Sequence, residues 1–187
     1  MNVNVAELLQ DMAERTRQNK DAARELLMQP GAALNWRVDP QSWSVLECVE
    51  HLNLYGDFYL PEIERVSSKS TYASEPVFKS GILGNYFAEM MLPRPGFKKI
   101  KTFKDKNPLG SELEKTSIEK FILQQDKLTA LLEKASHVSL NRTKAAISLS
   151  KYVKLKLGDI LRVVVYHNQR HLKQAKRVLE QMNTEEH

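Results

Sequence analysis

At 187 residues, 42% of them hydrophobic, the chain is long enough to bury the core of one ordinary domain without disulfide or metal staples. One cysteine, Cys48, excludes an intramolecular disulfide and suits a reducing compartment; no run of ~18 apolar residues offers a membrane span, and Met1-Asn2-Val3-Asn4-Val5-Ala6-Glu7 lacks the basic start and apolar run of a secretory leader. The net charge of +5 concentrates in Arg94, Lys98, Lys99, Lys101, Lys104 and Lys106, and in Arg142, Lys144, Lys151, Lys154 and Lys156. These runs read as solvated loops or as attractors of an anionic small molecule; with no stacking aromatics or reading motif, nucleic acid is not expected. The expectation is a single cytoplasmic domain over residues 1–187.

The first helix is expected from about Val5 to Met28, where Val5, Leu8, Leu9, Met12, Ala23, Leu26 and Leu27 make one apolar stripe and Pro30-Gly31 ends it. The second opens at Ser44-Val45-Leu46-Glu47, a capping box in which Ser44 and Glu47 satisfy one another's backbone N–H, and runs to about Ser67. Trp43, just before the cap, is placed to staple the first turn. A long connection, about 68–115, carries Pro76, Pro93, Pro95 and Pro108 and one short helical candidate, Asn85 to Leu92. The third long helix is expected from a second capping box, Thr116-x-x-Glu119, to about Lys134. After a connection over about 136–158, Asp159 is the expected N-cap of a last helix reaching about Met182. Four such helices point to an all-α four-helix bundle, with room for a long crossover between the second and third.

The chemistry concentrates in Tyr166-His167-Asn168-Gln169-Arg170-His171. His167 and His171 are four apart on a helix and share the stripe of Ile160, Val164, Gln174 and Val178, so both imidazoles project inward, close enough to share an ion. Buried neutral imidazoles need partners for their ring nitrogens, and a metal supplies one for each; two core histidines satisfied by neighbours are the plainer alternative. His51 occupies the same kind of stripe on the second helix, with Cys48 and Leu54 a turn either side and Tyr55 and Phe58 further along. Three protein ligands with an open fourth position describe a catalytic rather than a structural zinc site, although all-nitrogen ligation also suits nickel, iron or cobalt. His137 falls in a connection and His187 is the last residue; neither has such placement.

Asn168 stands where the zincin signature His-Glu-x-x-His needs its base, so a peptidase of that kind is not expected. Glu47 reads either as a base facing the ion or as the capping-box residue, and Glu50 points toward solvent. Cys48 reads as a fourth ligand, a redox-sensitive thiol or a small core hydrophobe. Gln174 reads as a hydrogen-bond partner for a ligand or substrate or as a helix-surface glutamine, and Tyr55 as a further substrate-contact candidate.

Leu34-Asn35-Trp36-Arg37-x-x-Pro40-x-x-Trp43-Ser44-x-x-Glu47-Cys48-x-x-His51-Leu52 and Tyr166-His167-x-x-Arg170-His171-x-x-Gln174 resemble the opening and closing motifs of the DinB-like superfamily, DinB_2 type, across nearly the whole chain. The resemblance implies a four-helix bundle with an unusual crossover and one divalent metal, zinc or nickel, on His51, His167 and His171. It also implies a frequent homodimer and, in members of known activity, a low-molecular-weight thiol cosubstrate. The expected function is thus a metal-dependent thiol S-transferase or related hydrolase acting on a small electrophile. The alternative is a non-enzymatic stress-related bundle whose metal is structural or vestigial.

Overall fold

The computed structural model describes residues 1–93 and 102–185. Along the chain stand β1 (Asn2–Asn4), α1 (Val5–Leu27), α2 (Gly31–Asn35), α3 (Val45–Lys69), β2 (Val77–Lys79) and α4 (Ile82–Met91). A 3-10 turn at Lys104–Lys106, α5 (Thr116–Ala135), β3 (Lys144–Ile147), β4 (Ser150–Lys156) and α6 (Leu157–Glu185) follow. The protein is thus mostly helical, with two small antiparallel ribbons, β1–β2 and β3–β4.

Local chemistry starts the helices. Asn4 Oδ1 accepts the N–H of Ala6 and of Glu7, opening α1. At α3 the anticipated capping box is present: Ser44 Oγ accepts from Glu47 N at 3.2 Å, and Glu47 Oε2 accepts from Ser44 N at 2.7 Å. Pro61 lies inside α3 without ending it.

The long helices pack α1 against α5 and α6, and α3 against the same two. Their directions follow from two apolar clusters. One gathers Leu8 and Met12 of α1, Ile160 of α6, Ile63 of α3 and Leu131 of α5; the other gathers Ala23, Leu172, Leu46 and Ile118 of the same four. Hence α1 and α6 run one way, and α3 and α5 the other. Lys120, Lys127 and Lys134 of α5 confirm the second pairing, bonding Asp57, Glu64 and Ser68 of α3 in matching order.

Three local expectations change. Thr116 is the first residue of α5, not its cap: Lys115 is already helical, and the N–H groups of Ile118 and Glu119 both bond back to Lys115 O. The donors a capping hydroxyl would serve are therefore already taken. Asp159 does not cap α6, which begins at Leu157 with its N–H on Thr143 O at 2.9 Å. Its buried carboxylate instead accepts from Ser80 Oγ and from Gly81 N, the residue opening α4, and pairs with Arg162. The stretch over 136–158, expected only as a connection, holds the β3–β4 hairpin; a register shift between Ala146 and Ile147 breaks the alternation that would have announced it.

Arg162, almost fully buried, secures α4 onto α6 by donating to Ser80 Oγ, Asn85 Oδ1 and Glu89 Oε1. Nearby, a Cβ on Gly158 would lie 2.6 Å from the Phe78 ring, itself fully buried. Helix propensity favours alanine over glycine by about 1 kcal/mol, yet Gly158→Ala is expected to lose about 1–3 kcal/mol through overpacking. Chemical denaturation checks the sign; an alanine variant more stable than the parent overturns the reading.

Candidate metal centre

Because α3 and α6 run antiparallel, His51 on the first half of α3 meets the middle of α6. His51 and His167 are 3% and 8% exposed, and His171 is partly buried. Ring centroids lie 5.0 Å apart for His51–His167, 4.5 Å for His51–His171 and 4.7 Å for His167–His171. One ring nitrogen from each falls within 4.8 Å of the other two. The expected convergence of three imidazoles is present.

Their protonation follows from their partners. The Lys106 carbonyl oxygen can only accept, so at 2.7 Å it fixes the proton of His51 on Nδ1 and turns the Nε2 lone pair inward. The Gln174 Oε1 does the same for His171 Nδ1 at 2.9 Å. His51 Nε2 then faces His167 Nε2 at 3.2 Å, a separation that needs either a proton or a cation between the nitrogens. Burial is the main cause holding all three rings neutral: His51 is pushed down to about 4, His171 to about 3, and His167 well below the usual imidazole range, with the neighbouring rings adding to the last two. Three neutral imidazoles with ring nitrogens converging, the outer nitrogens of His51 and His171 held by acceptors, are the donor set a divalent cation requires. The residues fit the ion.

These shifts carry a stability consequence for the metal-free protein. As pH falls below about 6.5 the unfolded chain protonates these histidines, while the folded chain resists until about 4 or lower. Acidification through that window therefore favours unfolding, by roughly 3 kcal/mol for His51 alone. Melting temperature measured on metal-free protein between pH 7 and 4 should fall. His51→Gln should flatten part of that slope; an unchanged slope in the variant contradicts the assignment.

Aromatic rings frame the cluster. Trp43 lies 4.6 Å from the His51 ring and 5.7 Å from His171, its Nε1 donating to Asn107 Oδ1 at 3.0 Å. Tyr55 stands 4.9 Å from His51 and 4.7 Å from His167, its hydroxyl pushed up to about 12 chiefly by burial. The segment from Lys106, the last residue of the 3-10 turn, to Gly110 thus straps the site, through Lys106 O on His51, Asn107 on Trp43 and Gly110 N on Glu47. Sequence reasoning took Trp43 for a staple and missed the strap. A tryptophan eight residues before an inward histidine was a usable signal; a backbone carbonyl leaves none.

The other candidates separate from the cluster. Glu47 is fully buried and its oxygens accept from Ser44 N, Gly110 N at 2.6 Å, and Arg37 Nε and Nη2 at 2.9 and 2.7 Å. Burial alone would raise its carboxyl, but the bonds from Arg37, Ser44 and Gly110 outweigh that and hold it below the usual range. Such a carboxylate acts as a staple, in keeping with the capping box. Cys48 is wholly buried among Leu34, Val49 and Phe121, and burial pushes its thiol up, away from thiolate. Among the charge runs, Arg94, Lys98, Lys99 and Lys101 lie outside the described residues, as does His187; Arg142 stacks on Tyr72 at 3.9 Å.

A cavity of about 880 Å³ opens onto the three histidines, within the range of small-molecule sites. Among the described residues, no helix is long and apolar enough to cross a membrane. Fold and site together define a mostly helical protein carrying a three-histidine cluster fit for a metal ion. The chain belongs to the DinB superfamily, whose DinB_2 family model matches residues 6–175. No curated protein and no solved structure matches it.

Proposed function

We propose that the protein is a metal-dependent thiol S-transferase, with His51, His167 and His171 holding one zinc or nickel ion and a small electrophile as acceptor. The observation supporting this most strongly is the set of three neutral, inward-facing imidazoles at a cavity large enough for two small reactants. We read the four long helices as the family's bundle, with residues 70–115 as its crossover between two helices that run the same way. A reducing, cytoplasmic setting suits a chain whose single thiol, Cys48, is buried.

A divalent cation bound there would lower the pKa of a coordinated thiol, so that sulfur reacts as thiolate at neutral pH. The chain's own contribution is geometric and electrostatic. Lys106 O and Gln174 Oε1 orient two of the ligands, while Trp43 and Tyr55 exclude water from them. In the transfer a sulfur–carbon bond forms as a carbon–halogen bond breaks, the halide leaving with its electron pair and the thiol proton passing to solvent. With an epoxide the ring carbon–oxygen bond breaks instead and its oxygen takes up a proton. Glu47, fully engaged by its donors, is given no proton-transfer role.

Zinc- or nickel-loaded protein is expected to conjugate a low-molecular-weight thiol such as glutathione or cysteine to a haloarene or epoxide, and metal-free protein is not. Equal rates with and without metal, across a panel of thiols, would overturn the assignment. Ester turnover that ignores thiol would move it to hydrolysis at the same site.

A further inference from the structure

The cavity is not uniform along its length. Its lining follows α6 from Ile160 to Gln181, a path of roughly 30 Å at 1.5 Å per residue, with His167 and His171 near the middle. On the C-terminal side the lining is more polar: Gln174, Arg177 and Gln181 of α6 and Asp39, Gln41 and Ser42 of the loop before α3 join Val38, Trp43 and Val178. On the N-terminal side the walls change character. There Val163 and Val164 of α6 meet Leu60 of α3, Leu128 of α5, Phe87 of α4 and Leu155 of β4. Tyr55 and Tyr59, stacked at 6.3 Å, line the passage from the histidines into this limb.

We infer that the apolar limb receives the hydrocarbon body of the acceptor substrate, an alkyl chain or aromatic ring system whose reactive end reaches the three histidines. The polar limb, with Arg177, is left for the thiol. The inference rests on the proposed metal centre only for the placement of the reactive end. The apolar character of the limb stands on its own lining.

Two features argue for a ligand rather than unfilled core. The limb is continuous with the histidine cluster, so whatever fills it presents one end there. Its far walls are also supplied by the elements the sequence adds around the long helices: α4, pinned by Arg162, and the β3–β4 hairpin, which Tyr59 holds through its hydroxyl at Ser148. Both additions turn apolar side chains toward the cavity. A site built only for polar reactants has no use for them, because burying polar groups against such walls without partners is unfavourable.

The test uses N-phenyl-1-naphthylamine, a neutral fluorophore that brightens in apolar sites and needs no metal, displaced by n-alkyl hydroxamates with chains from two to about ten carbons. Both zinc-loaded and metal-free protein are titrated. The fluorophore is expected to bind saturably to both forms. In the zinc form each added methylene should lower the displacement midpoint about fourfold until the limb is full. Val163→Gln and Met91→Gln, both at half-buried lining positions, should flatten that series while leaving acetohydroxamate binding unchanged; Leu123→Gln, on the exposed face of α5, should leave everything unchanged.

A flat series in the parent protein, or no saturable fluorophore binding in either form, overturns the inference even if acetohydroxamate binds the zinc. Fluorophore displaced by a neutral alkyl alcohol, with no hydroxamate preference, supports the limb and counts against the metal centre instead.

Discussion

Replacing His51 by alanine is expected to lower the affinity for zinc by well over a hundredfold, and the parent protein is expected to bind about one equivalent. Loss of an outer-shell partner commonly costs 10- to 100-fold in affinity; loss of a ligand removes a coordinate bond and must exceed that. The same applies to His167→Ala and His171→Ala. Gln174→Ala, which removes only the acceptor holding His171 Nδ1, should fall within the smaller range. Elemental analysis of the purified proteins and competition against a chromophoric chelator measure both. His137→Ala, a histidine with no part in the cluster, should bind as the parent does. If the three ligand variants retain parental affinity, the site and the proposed chemistry fail together.

The long helices and the three histidines were readable because helical periodicity records burial. His51, His167 and His171 each sit on stripes of apolar residues, and a stripe that packs inward carries its polar members with it. The capping box at Ser44 and Glu47 was equally legible, since both partners lie within four residues. What failed to show were features whose partners lie far away. Asp159 has the chemistry of an N-cap, and it does serve a helix start, but that of α4 through Gly81 rather than its own. The β1–β2 ribbon joins the second residue of the chain to the seventy-ninth, with three residues on each side, too few for any pattern. Lys106 contributes its carbonyl to His51, a contact that no side chain encodes. Glu47 was legible as a cap but not as the meeting point of Arg37 and Gly110, because those donors come from a loop before α3 and a strap more than sixty residues beyond it.

Removing the Arg37 guanidinium is expected to be among the most destabilising single changes outside the apolar core. Its partner Glu47 is fully buried, and taking away one member of a buried ion pair typically costs 3–5 kcal/mol, because the remaining charge is stranded. The Ser44 and Gly110 N–H groups still serve the carboxylate, which places Arg37→Ala near the lower end, about 3 kcal/mol. For a chain of this size that corresponds to a fall in Tm of roughly 10 °C. The pH dependence should change with it. In the parent the Glu47 carboxyl is held below its ordinary range, so the stability it lends is complete at neutral pH and is lost as pH falls from the ordinary carboxylate range down through that low folded value. Without Arg37 the effect of burial is less opposed and the carboxyl rises toward or past its unfolded value, so the acid-side loss that Glu47 contributes should shrink or reverse. Adding Glu47→Gln to Arg37→Ala removes the stranded charge and should recover part of the Tm. The same carboxylate holds Gly110, whose φ of +81° is the one left-handed backbone position among the described residues and fits the strap's turn. Loosening it should slacken the segment that brings Lys106 O to His51. Arg37→Ala is therefore also expected to weaken zinc binding, by a smaller factor than any ligand variant. A variant with parental Tm and an unshifted acid limb would show that this carboxylate neither needs its guanidinium nor steadies the site.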